Sequence, residues 1–320
     1  MTLRIALLDD YQQLARDMAD WDSLPVGTEV QAFDRAIPGE DELVQALQGF
    51  DVVVAMRERT AFPASVVARL PDLKLLCSTG LRNASIDIDA CLRQGIAVCG
   101  AKGSRHGLAA TAETAWALIL ALHKKLVASH NALQAAHWQP QLARGLEGKT
   151  LGLAGLGNIG KRMASIGQAF GMEVMAWSPN LTAGRAEQAG VKLASKAELF
   201  AQADVVSLHL VLSLSTANVV GEAELAAMKP EAFIVNTSRA GLVNEAALMA
   251  ALQAHRIGGA GLDVYWKEPL PGNHDILKLD NVVLTPHLGY ATDENMAAFY
   301  SSVLGNIKAW LEGRPVTPLS

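Results

Sequence analysis

The chain has 320 residues, of which 50% are hydrophobic and 18% are charged, and its formal net charge is −5. This length and composition indicate a globular protein with two domains, because a single core rarely grows beyond about 250–300 residues. The acidic balance argues against nucleic acid or an anionic membrane as a partner, since either binds a basic face, and the longest apolar run is too short to span a bilayer.

The first third of the chain alternates short apolar runs with helix-like segments. The first run is followed by acidic residues, so it is predicted to be a strand and not a signal peptide. Helical patterns at residues 40–48 and 63–70 separate the later runs. The strands predicted here are residues 4–8, 28–33, 51–56, 73–78 and 96–100.

The three cysteines bear on both compartment and chemistry. Cys77, Cys91 and Cys99 are odd in number and lack metal-type spacing, so no metal site is predicted. Each lies in or near an apolar run, which favours an inert core thiol. The simplest interpretation is a reduced, cytoplasmic protein.

A long helical stretch at residues 108–137 interrupts the alternation and is predicted to connect two sheets. The alternation then resumes, and an amphipathic helix at 294–313 closes the chain. The second set of predicted strands is 150–155, 173–177, 204–210, 232–238, 258–264 and 281–286. Strands that are apolar on both faces and separated by helices predict parallel sheets covered on both sides. The fold class is therefore α/β, with two doubly wound parallel sheets.

A glycine-rich turn with the spacing G-x-G-x-x-G lies between a predicted strand and a predicted helix. In such turns the first glycine permits the tight bend, the second lets a pyrophosphate approach the backbone, and the third lets the helix pack closely on the strand. The setting predicts a dinucleotide site formed by Gly155, Gly157, Asn158, Ile159 and Gly160. A turn kept only for tight packing is the alternative.

The strand after this turn ends without the carboxylate that usually binds the adenosine ribose of NAD. Ser178, Pro179 and Asn180 occupy that position. Without the negative charge, the 2′-phosphate of NADP would meet no repulsion, and Arg185 is a candidate to bind it. Ser178 and Asn180 suit a plain ribose equally well, so the choice between NAD and NADP stays open.

Polar residues follow three of the later strands, where ligands of open α/β sheets bind. Arg239 is suited to hold a substrate carboxylate through a bidentate pair. His287 is suited to supply a proton to a carbonyl oxygen, and Glu268 would favour the imidazolium and orient it. Together they predict the reduction of a 2-keto acid. A surface arginine, a helix-starting Glu-Pro pair and a core histidine are the alternatives.

Four motifs in order resemble the D-2-hydroxyacid dehydrogenase family over nearly the whole chain. GLGNIG, NTSRA, DVYWKEP and TPHLG stand where the family has a glycine fingerprint, N-x-S-R-G/A, D-V-F-x-x-E-P and T-P-H-x-G. The resemblance implies that Arg239, Glu268 and His287 are the catalytic trio and that NAD is the default cofactor. Asp263 would bond the nicotinamide carboxamide. The cofactor contacts implied outside the glycine turn are Ser178, Asn180, His209, Val211, Thr216, Thr237, Asp263 and Gly289.

The resemblance also implies the domain organisation and the assembly. Residues 1–100 and 290–320 would form a discontinuous, flavodoxin-like substrate domain, and residues 101–289 would form an inserted Rossmann cofactor domain. The late position of the glycine turn then follows from the topology. In members of the family the connector region is also a dimerisation surface, so a homodimer is expected.

The substrate residues depart in part from the family pattern. The family's carboxylate-binding loop reads G-x-G-x-D-N-I-D, whereas this chain has GLRNASID, with an arginine at the second glycine. The N–H groups of Gly80, Leu81 and Arg82 are expected to bind a carboxylate, and the Arg82 guanidinium either adds an anchor or faces solvent. The stretch AMRERT resembles an R-x-R-T stretch that faces the substrate in some members, which implies a role for Arg57; Arg59 is expected to be a surface charge.

The expected function is the NAD(P)-dependent interconversion of a small D-2-hydroxy acid and its 2-keto partner. Glyoxylate, hydroxypyruvate and longer keto acids all remain candidates. One alternative is a dinucleotide-sensing, corepressor-like binding protein, which would retain the trio; the lack of extra tails and of a basic face counts against it. A formate-dehydrogenase-like activity is a second alternative, but glutamine usually replaces Glu268 in such proteins.

Overall fold

The computed structural model describes residues 2–105 and 107–319, and the chain divides into two compact units. The first unit comprises Met1–Gly107 and Thr292–Ser320, and the second comprises Leu108–Ala291. The chain therefore leaves the first unit at the helix that begins at Gly107, and it returns to the first unit just before the helix that begins at Asp293. The junctions predicted after residues 100 and 289 lie slightly before these two points.

The first unit contains a five-stranded parallel sheet in the order β2-β1-β3-β4-β5. This is the flavodoxin-like strand order. Its strands are β1 (Arg4–Leu7), β2 (Glu29–Ala32), β3 (Val52–Ala55), β4 (Leu75–Thr79) and β5 (Ala97–Ala101). Its helices are α1 (Glu40–Ala46), α2 (Ala64–Val67), α3 (Ile88–Arg93) and α11 (Asp293–Leu311), with a 3₁₀ turn at Trp21–Ser23.

Burial follows the position of each strand in this sheet. β3 and β4 are buried at every residue, because both have a neighbouring strand on each side and helices on both faces. β2 lies at the edge, and its residues are exposed or half-buried. Helix α11 packs on β4 and β5, so the C-terminal helix supplies part of the cover of the first sheet.

The C-terminal segment protects the other edge of this sheet. The N–H of Gly100 on β5 donates to the carbonyl of Thr317 at 2.9 Å. Asn306 joins both segments, since its Nδ2 donates to the carbonyl of Gly100 at 3.1 Å and its Oδ1 accepts from the N–H of Thr317 at 2.9 Å. These bonds satisfy backbone groups that an exposed edge strand would leave open.

The second unit contains a seven-stranded parallel sheet in the order β12-β11-β10-β9-β6-β7-β8. This is the Rossmann order extended by one strand, so the predicted fold class is confirmed. Its strands are β6 (Thr150–Ala154), β7 (Glu173–Trp177), β8 (Lys192–Leu193), β9 (Val205–Leu208), β10 (Phe233–Asn236), β11 (Gly259–Leu262) and β12 (Val282–Leu284). Its helices are α4 (Gly107–Lys124), α5 (Leu126–Gln134), α6 (Asn158–Ala169), α7 (Ala183–Gln188), α8 (Lys196–Gln202), α9 (Glu222–Ala227) and α10 (Glu245–Gln253), with 3₁₀ turns at Ala240–Leu242 and Asp275–Lys278.

The connector differs from the single helical stretch predicted at residues 108–137. It is two helices, α4 and α5, separated by Lys125, whose φ of +50° lies in the left-handed region and ends the first helix. α4 buries one face, whereas α5 buries no residue. None of the described helices is both long enough and apolar enough to cross a bilayer.

Candidate active site

Three adjacent strands of the second sheet end at the same level and deliver three of the predicted side chains. The register pairs Asn236 of β10 with Leu262 of β11, and Leu262 with Leu284 of β12. Arg239, Asp263 and His287 follow these strand ends within three residues. Parallel strands place their carboxyl ends at one edge of the sheet, so the three polar motifs meet there.

The histidine and the glutamate form a short, partly buried pair. His287 Nδ1 lies 2.6 Å from Glu268 Oε2, and the two side chains are 18% and 23% exposed. The other carboxylate oxygen, Oε1, accepts the backbone N–H of Tyr265 at 3.0 Å. An ionised carboxylate only accepts hydrogen bonds, so Nδ1 is the donor in this pair.

A buried carboxylate holds the loop that carries the histidine. Asp263 is 0% exposed and accepts three hydrogen bonds, from Thr285 Oγ1 at 2.7 Å, from the N–H of Leu288 at 2.6 Å and from the N–H of Gly289 at 2.8 Å. Burial raises the pKa of Asp263, and these bonds act in the opposite direction. The bonds lie on both sides of His287, whose φ is +57°. The predicted bond from Asp263 to a nicotinamide carboxamide stays a prediction.

Tyr265 ties the two strand ends of this loop together. Its hydroxyl donates to the carbonyls of Leu262 at 3.2 Å and Thr285 at 2.9 Å. Burial raises the pKa of Tyr265, so the phenol stays a protonated donor. With its backbone N–H on Glu268 as well, this residue supports both members of the histidine–glutamate pair. The DVYWKEP motif of the sequence indicates no role for this tyrosine.

The arginine stands on a loop that two polar residues organise. Asn236 is 1% exposed; its Nδ2 donates to the carbonyl of Arg239 at 2.9 Å and its Oδ1 accepts the N–H of Ser238 at 3.0 Å. Ser238 Oγ donates to the carbonyl of Leu210 at 2.7 Å. Arg239 itself is half-buried, with Nη1 2.8 Å from the carbonyl of Ser238. The signal for Asn236 and Ser238 was their place in N-x-S-R directly after an apolar strand.

The glycine turn has the geometry that a dinucleotide requires. Gly155 has φ +109°, and a Cβ there would lie 2.6 Å from the carbonyl oxygen of His209. A Cβ at Gly160 would lie 2.1 Å from the carbonyl oxygen of Gly155, so helix and strand approach too closely for any side chain. At Gly157 a Cβ would meet no described atom within 4 Å, which leaves open space before α6. Asn158 opens that helix, with Ile159 after it.

Other predicted cofactor residues lie after β9, β10 and β12. His209 Nε2 lies 2.9 Å from Ser207 Oγ, and burial lowers the pKa of His209 to about 4, so the ring is neutral at pH 7. Thr216 is buried and closes its loop by donating to the carbonyl of Val211 at 2.7 Å. Thr237 Oγ1 is buried without a hydrogen-bond partner among the described residues, which suits a site that a ligand completes. The backbone N–H of Gly289, as noted, is bonded within the unit.

The segment after β7 presents no carboxylate, as the sequence indicated. Ser178 is half-buried and Asn180 is exposed. The exposed Arg185 reaches back to this segment, with Nη1 3.4 Å from the carbonyl oxygen of Asn180. A cation and two neutral hydrogen-bonding groups therefore lie where an adenosine ribose is expected. The residues present fit a dinucleotide of either kind.

The substrate residues predicted in the first unit follow β3 and β4. The N–H of Gly80 donates to the carbonyl of Ala101 at 2.8 Å, so it is not available to the carboxylate that it was expected to bind. This bond forms because the pairing of Gly80 with Ala101 continues past the end of β4. Leu81 and Arg82 are exposed. A Cβ at Gly80 would lie 2.2 Å from Arg57 Nη1, which places that guanidinium against the loop.

Residues 116–289 match the family described as D-isomer specific 2-hydroxyacid dehydrogenase, NAD binding domain. The chain is 35% identical over 278 residues to a D-3-phosphoglycerate dehydrogenase of Archaeoglobus fulgidus, covering 86% of this chain and 52% of that protein. The chain thus spans about half the length of the phosphoglycerate dehydrogenases that it matches.

Two further proteins match over most of their length. A glyoxylate reductase of Thermococcus litoralis is 32% identical over 289 residues, covering 88% of this chain and 86% of that protein. The crystal structure of a phosphoglycerate oxidoreductase from Vibrio cholerae is 39% identical with a TM-score of 0.91, covering 98% of this chain and 100% of that one.

Proposed function

The chain belongs to the family of D-isomer specific 2-hydroxyacid dehydrogenases, and on that premise we propose that it transfers a hydride between a nicotinamide cofactor and C2 of a small D-2-hydroxy acid or 2-keto acid. The observation that carries the proposal is the 2.6 Å pair of His287 and Glu268 at the sheet edge where Arg239 also lies. The similarity to a glyoxylate reductase and to phosphoglycerate dehydrogenases supports the same substrate class.

We propose a separate role in the reaction for each polar side chain at the strand ends of the second unit. A nicotinamide cofactor held by the glycine turn would supply or accept the hydride. His287 exchanges the proton of the C2 oxygen through Nε2, while Glu268 holds the ring through Nδ1 and stabilises the imidazolium. Arg239 holds the substrate carboxylate with its planar fork, which orients C2. Asp263 keeps the histidine loop in place through its three hydrogen bonds.

The cofactor is assigned to the glycine turn and the adjoining strand ends. Gly155, Gly157 and Gly160 leave room for the pyrophosphate at the start of α6. NAD is the cofactor that the matched family description names. Use of NADP also fits, since Ser178 and Asn180 carry no negative charge.

In the first unit, we assign substrate binding to Arg57 and to the loop at residues 80–82. We propose that the backbone N–H groups of Leu81 and Arg82 bind the substrate carboxylate. Gly80 lets the Arg57 side chain approach the loop closely, because glycine has no Cβ. We therefore assign the predicted substrate domain to the first unit and the predicted cofactor domain to the second unit.

We also propose that the chain forms a homodimer through α5 and the segment after it. No residue of α5 is buried, although Leu126, Val127 and Leu133 are 52%, 53% and 58% exposed. Trp138 and Leu142, just beyond the helix, are 78% and 90% exposed. So many large apolar side chains on one segment indicate a protein–protein contact. The cytoplasmic location expected from the three cysteines stays a prediction.

The proposal is tested with purified protein, NADH or NADPH, and a panel of glyoxylate, hydroxypyruvate, pyruvate and phenylpyruvate. We expect oxidation of the reduced cofactor with at least one keto acid. Tight binding of a dinucleotide without turnover of any keto acid would instead favour the sensor, the alternative that shares this fold.

A further inference from the structure

The loop that carries Glu268 has little burial over most of its length. It runs from the end of β11 at Leu262 to the 3₁₀ turn at Asp275–Lys278, and residues 266–274 are each half-buried or exposed. A loop with so little burial opens easily unless contacts with neighbouring segments hold it. The position of the Glu268 carboxylate therefore depends on those contacts.

Two side chains of the loop join it to the segment that follows Arg239. Trp266 Nε1 donates to the carbonyl of Val243 at 2.9 Å. His274 Nε2 lies 3.0 Å from Glu245 Oε1, and these two side chains are 21% and 42% exposed. Both partners lie within six residues of Arg239 along the chain. The two contacts therefore tie the loop of the glutamate to the segment of the arginine.

The two ring nitrogens of His274 have different partners. Nδ1 accepts the N–H of Ile276 at 3.2 Å, which caps the start of the 3₁₀ turn. Because Nδ1 is an acceptor, Nε2 is the donor to Glu245. Glu245 is the first residue of α10, where the helix dipole favours a carboxylate. The imidazole thus bridges the end of the loop and the start of a helix.

The segment that receives these contacts is held by other bonds. The carbonyl of Arg239 accepts Asn236 Nδ2 at 2.9 Å. Val243 is 1% exposed, and the N–H of the next residue, Asn244, donates to the carbonyl of Val220 at 2.9 Å. Loss of the bridge would therefore release the loop of the glutamate and leave the backbone of the arginine in place.

We propose that His274 and Glu245 are positioning residues for the proton transfer. Their contact fixes the loop, and the loop in turn keeps the Glu268 carboxylate against His287. This inference rests on the proposed function and adds two residues to it, neither of which has an assigned contact with substrate or cofactor. Loss of the contact should lower kcat, because fewer molecules hold the imidazole in the reactive orientation. KM should change little, because Arg239 keeps its own support.

The test measures kcat and KM for the best keto acid, and the dissociation constant for NADH, in two variants of the histidine. His274→Asn keeps an acceptor for the N–H of Ile276 but is too short to reach Glu245. His274→Gln places an amide nitrogen as many bonds from the backbone as Nε2, and it loses the acceptor for Ile276. We expect kcat to fall about tenfold in His274→Asn and less than about threefold in His274→Gln, with KM and NADH binding within about twofold of wild type in both.

Variants of the partner and of the 3₁₀ turn complete the test. Glu245→Ala should lower kcat as much as His274→Asn, and the double variant should lower it no further, because both changes remove the same contact. Glu245→Gln keeps an acceptor oxygen and should restore most of the activity that the alanine variant loses. Lys278→Ala is the matched control, since it removes a 2.6 Å ion pair with Asp275 that lies within the same turn, and we expect wild-type values.

Several results would overturn the inference. An unchanged kcat in His274→Asn would remove the role, and an equal loss in His274→Gln or Lys278→Ala would reduce the histidine to a support of the turn. A rise in KM as large as the fall in kcat would show that the arginine moves as well. Losses that add in the double variant would show that the two side chains act independently.

Absence of turnover with every keto acid in wild type is instead a failure of the proposed function. In that case hydrogen–deuterium exchange still tests the bridge, because it reports opening of the loop without catalysis. We expect the amides of residues 264–268 to exchange about tenfold faster in His274→Asn than in Lys278→Ala. Equal exchange rates in the two variants would contradict the inference.

Discussion

The imidazole of His287 is oriented from two directions, by a carboxylate on one ring nitrogen and by a loop held in a left-handed conformation. Glu268 supplies the first through the 2.6 Å contact, and Asp263 supplies the second by accepting the N–H groups that follow the histidine. Neither contact involves a ligand. The side chain that we propose as the proton donor is therefore already oriented in the protein alone, which would lower the cost of reaching the transition state.

Replacing His287 with Ala is expected to lower kcat for the best keto acid by roughly 10²–10⁴-fold, the usual loss for a missing general acid. The dissociation constant for NADH, measured by fluorescence titration, should stay within about threefold, because the proposal gives the histidine no cofactor contact. His255→Ala is the matched control, since that side chain is 65% exposed. Turnover retained by His287→Ala would remove the assigned role.

We expect the residue after β7 to determine whether a 2′-phosphate is repelled. Ser178→Asp introduces the carboxylate that the strand end lacks, and we expect it to weaken NADPH binding at least about tenfold through like-charge repulsion. NADH binding should be unchanged or slightly tighter, since a carboxylate accepts the ribose hydroxyls. Direct titration of both cofactors checks this, with Ser178→Asn as the uncharged control. A parallel loss for NADH and NADPH would show that the adenosine ribose binds elsewhere.

At the scale of secondary-structure elements, helix α4 contains a buried histidine whose ring nitrogens form no hydrogen bond with the described residues. His123 is 3% exposed, its ring lies edge-on 5.0 Å from Phe233, and neither ring nitrogen has a hydrogen-bond partner in the described part of the chain. Burial, with the nearby Arg144 cation, lowers the pKa of His123 to about 4. Because the unfolded chain binds this proton near pH 6.5, folding stability is lost as the pH falls from about 6.5 to 4.

His123→Phe should remove this acid sensitivity. We expect a free energy of unfolding equal to or above that of wild type at pH 7.5, because an apolar ring of similar shape replaces unpaired nitrogens. At pH 5 the advantage should grow to roughly 2 kcal/mol, as the variant has no proton to exclude. Urea unfolding at both pH values measures it, and His130→Phe on exposed α5 is the control. A difference independent of pH would contradict the assigned cause.

Helix α5, the second helix of the connector, buries no residue and exposes three large apolar side chains. If α5 is a dimer contact, Leu133→Glu places a charge in it and should convert the protein to a monomer at micromolar concentration. Light scattering coupled to size-exclusion chromatography gives the mass directly. Leu193→Glu, on the edge strand β8 and 41% exposed in wild type, is the matched control and should keep the dimer. Equal masses for all three proteins would remove the assignment.

At the scale of the whole molecule, the two units have separate sheets. A ligand that binds one unit therefore need not stabilise the other. The glycine turn and the three strand ends lie in the second unit, so a dinucleotide should stabilise that unit first. At a concentration 100 times its dissociation constant, NADH is expected to add about 2.7 kcal/mol, or about 5–10 °C in melting temperature. Differential scanning calorimetry shows which transition moves. No shift at saturating NADH, judged by fluorescence, would place the cofactor outside the second unit.

The sequence predicts the secondary-structure elements of this protein better than it predicts the contacts between side chains. Apolar runs marked every strand of both sheets except β8, whose two exposed residues carry no pattern. Glycine spacing marked the turn before α6. The sequence gives no sign of the break at Lys125, because that residue has no unusual local sequence and only its φ shows where α4 ends.

By itself, the sequence determined the fold class, the order of the elements and the strand ends at which the polar residues stand, because each depends on residues close together along the chain. The tertiary structure alone decided that Gly80 donates its N–H to Ala101, that Asp263 holds the loop of His287, and that His274 contacts Glu245. These contacts join segments that are distant in sequence. Their geometry is set by how the loops pack at the sheet edges, and a local pattern carries no information about that packing.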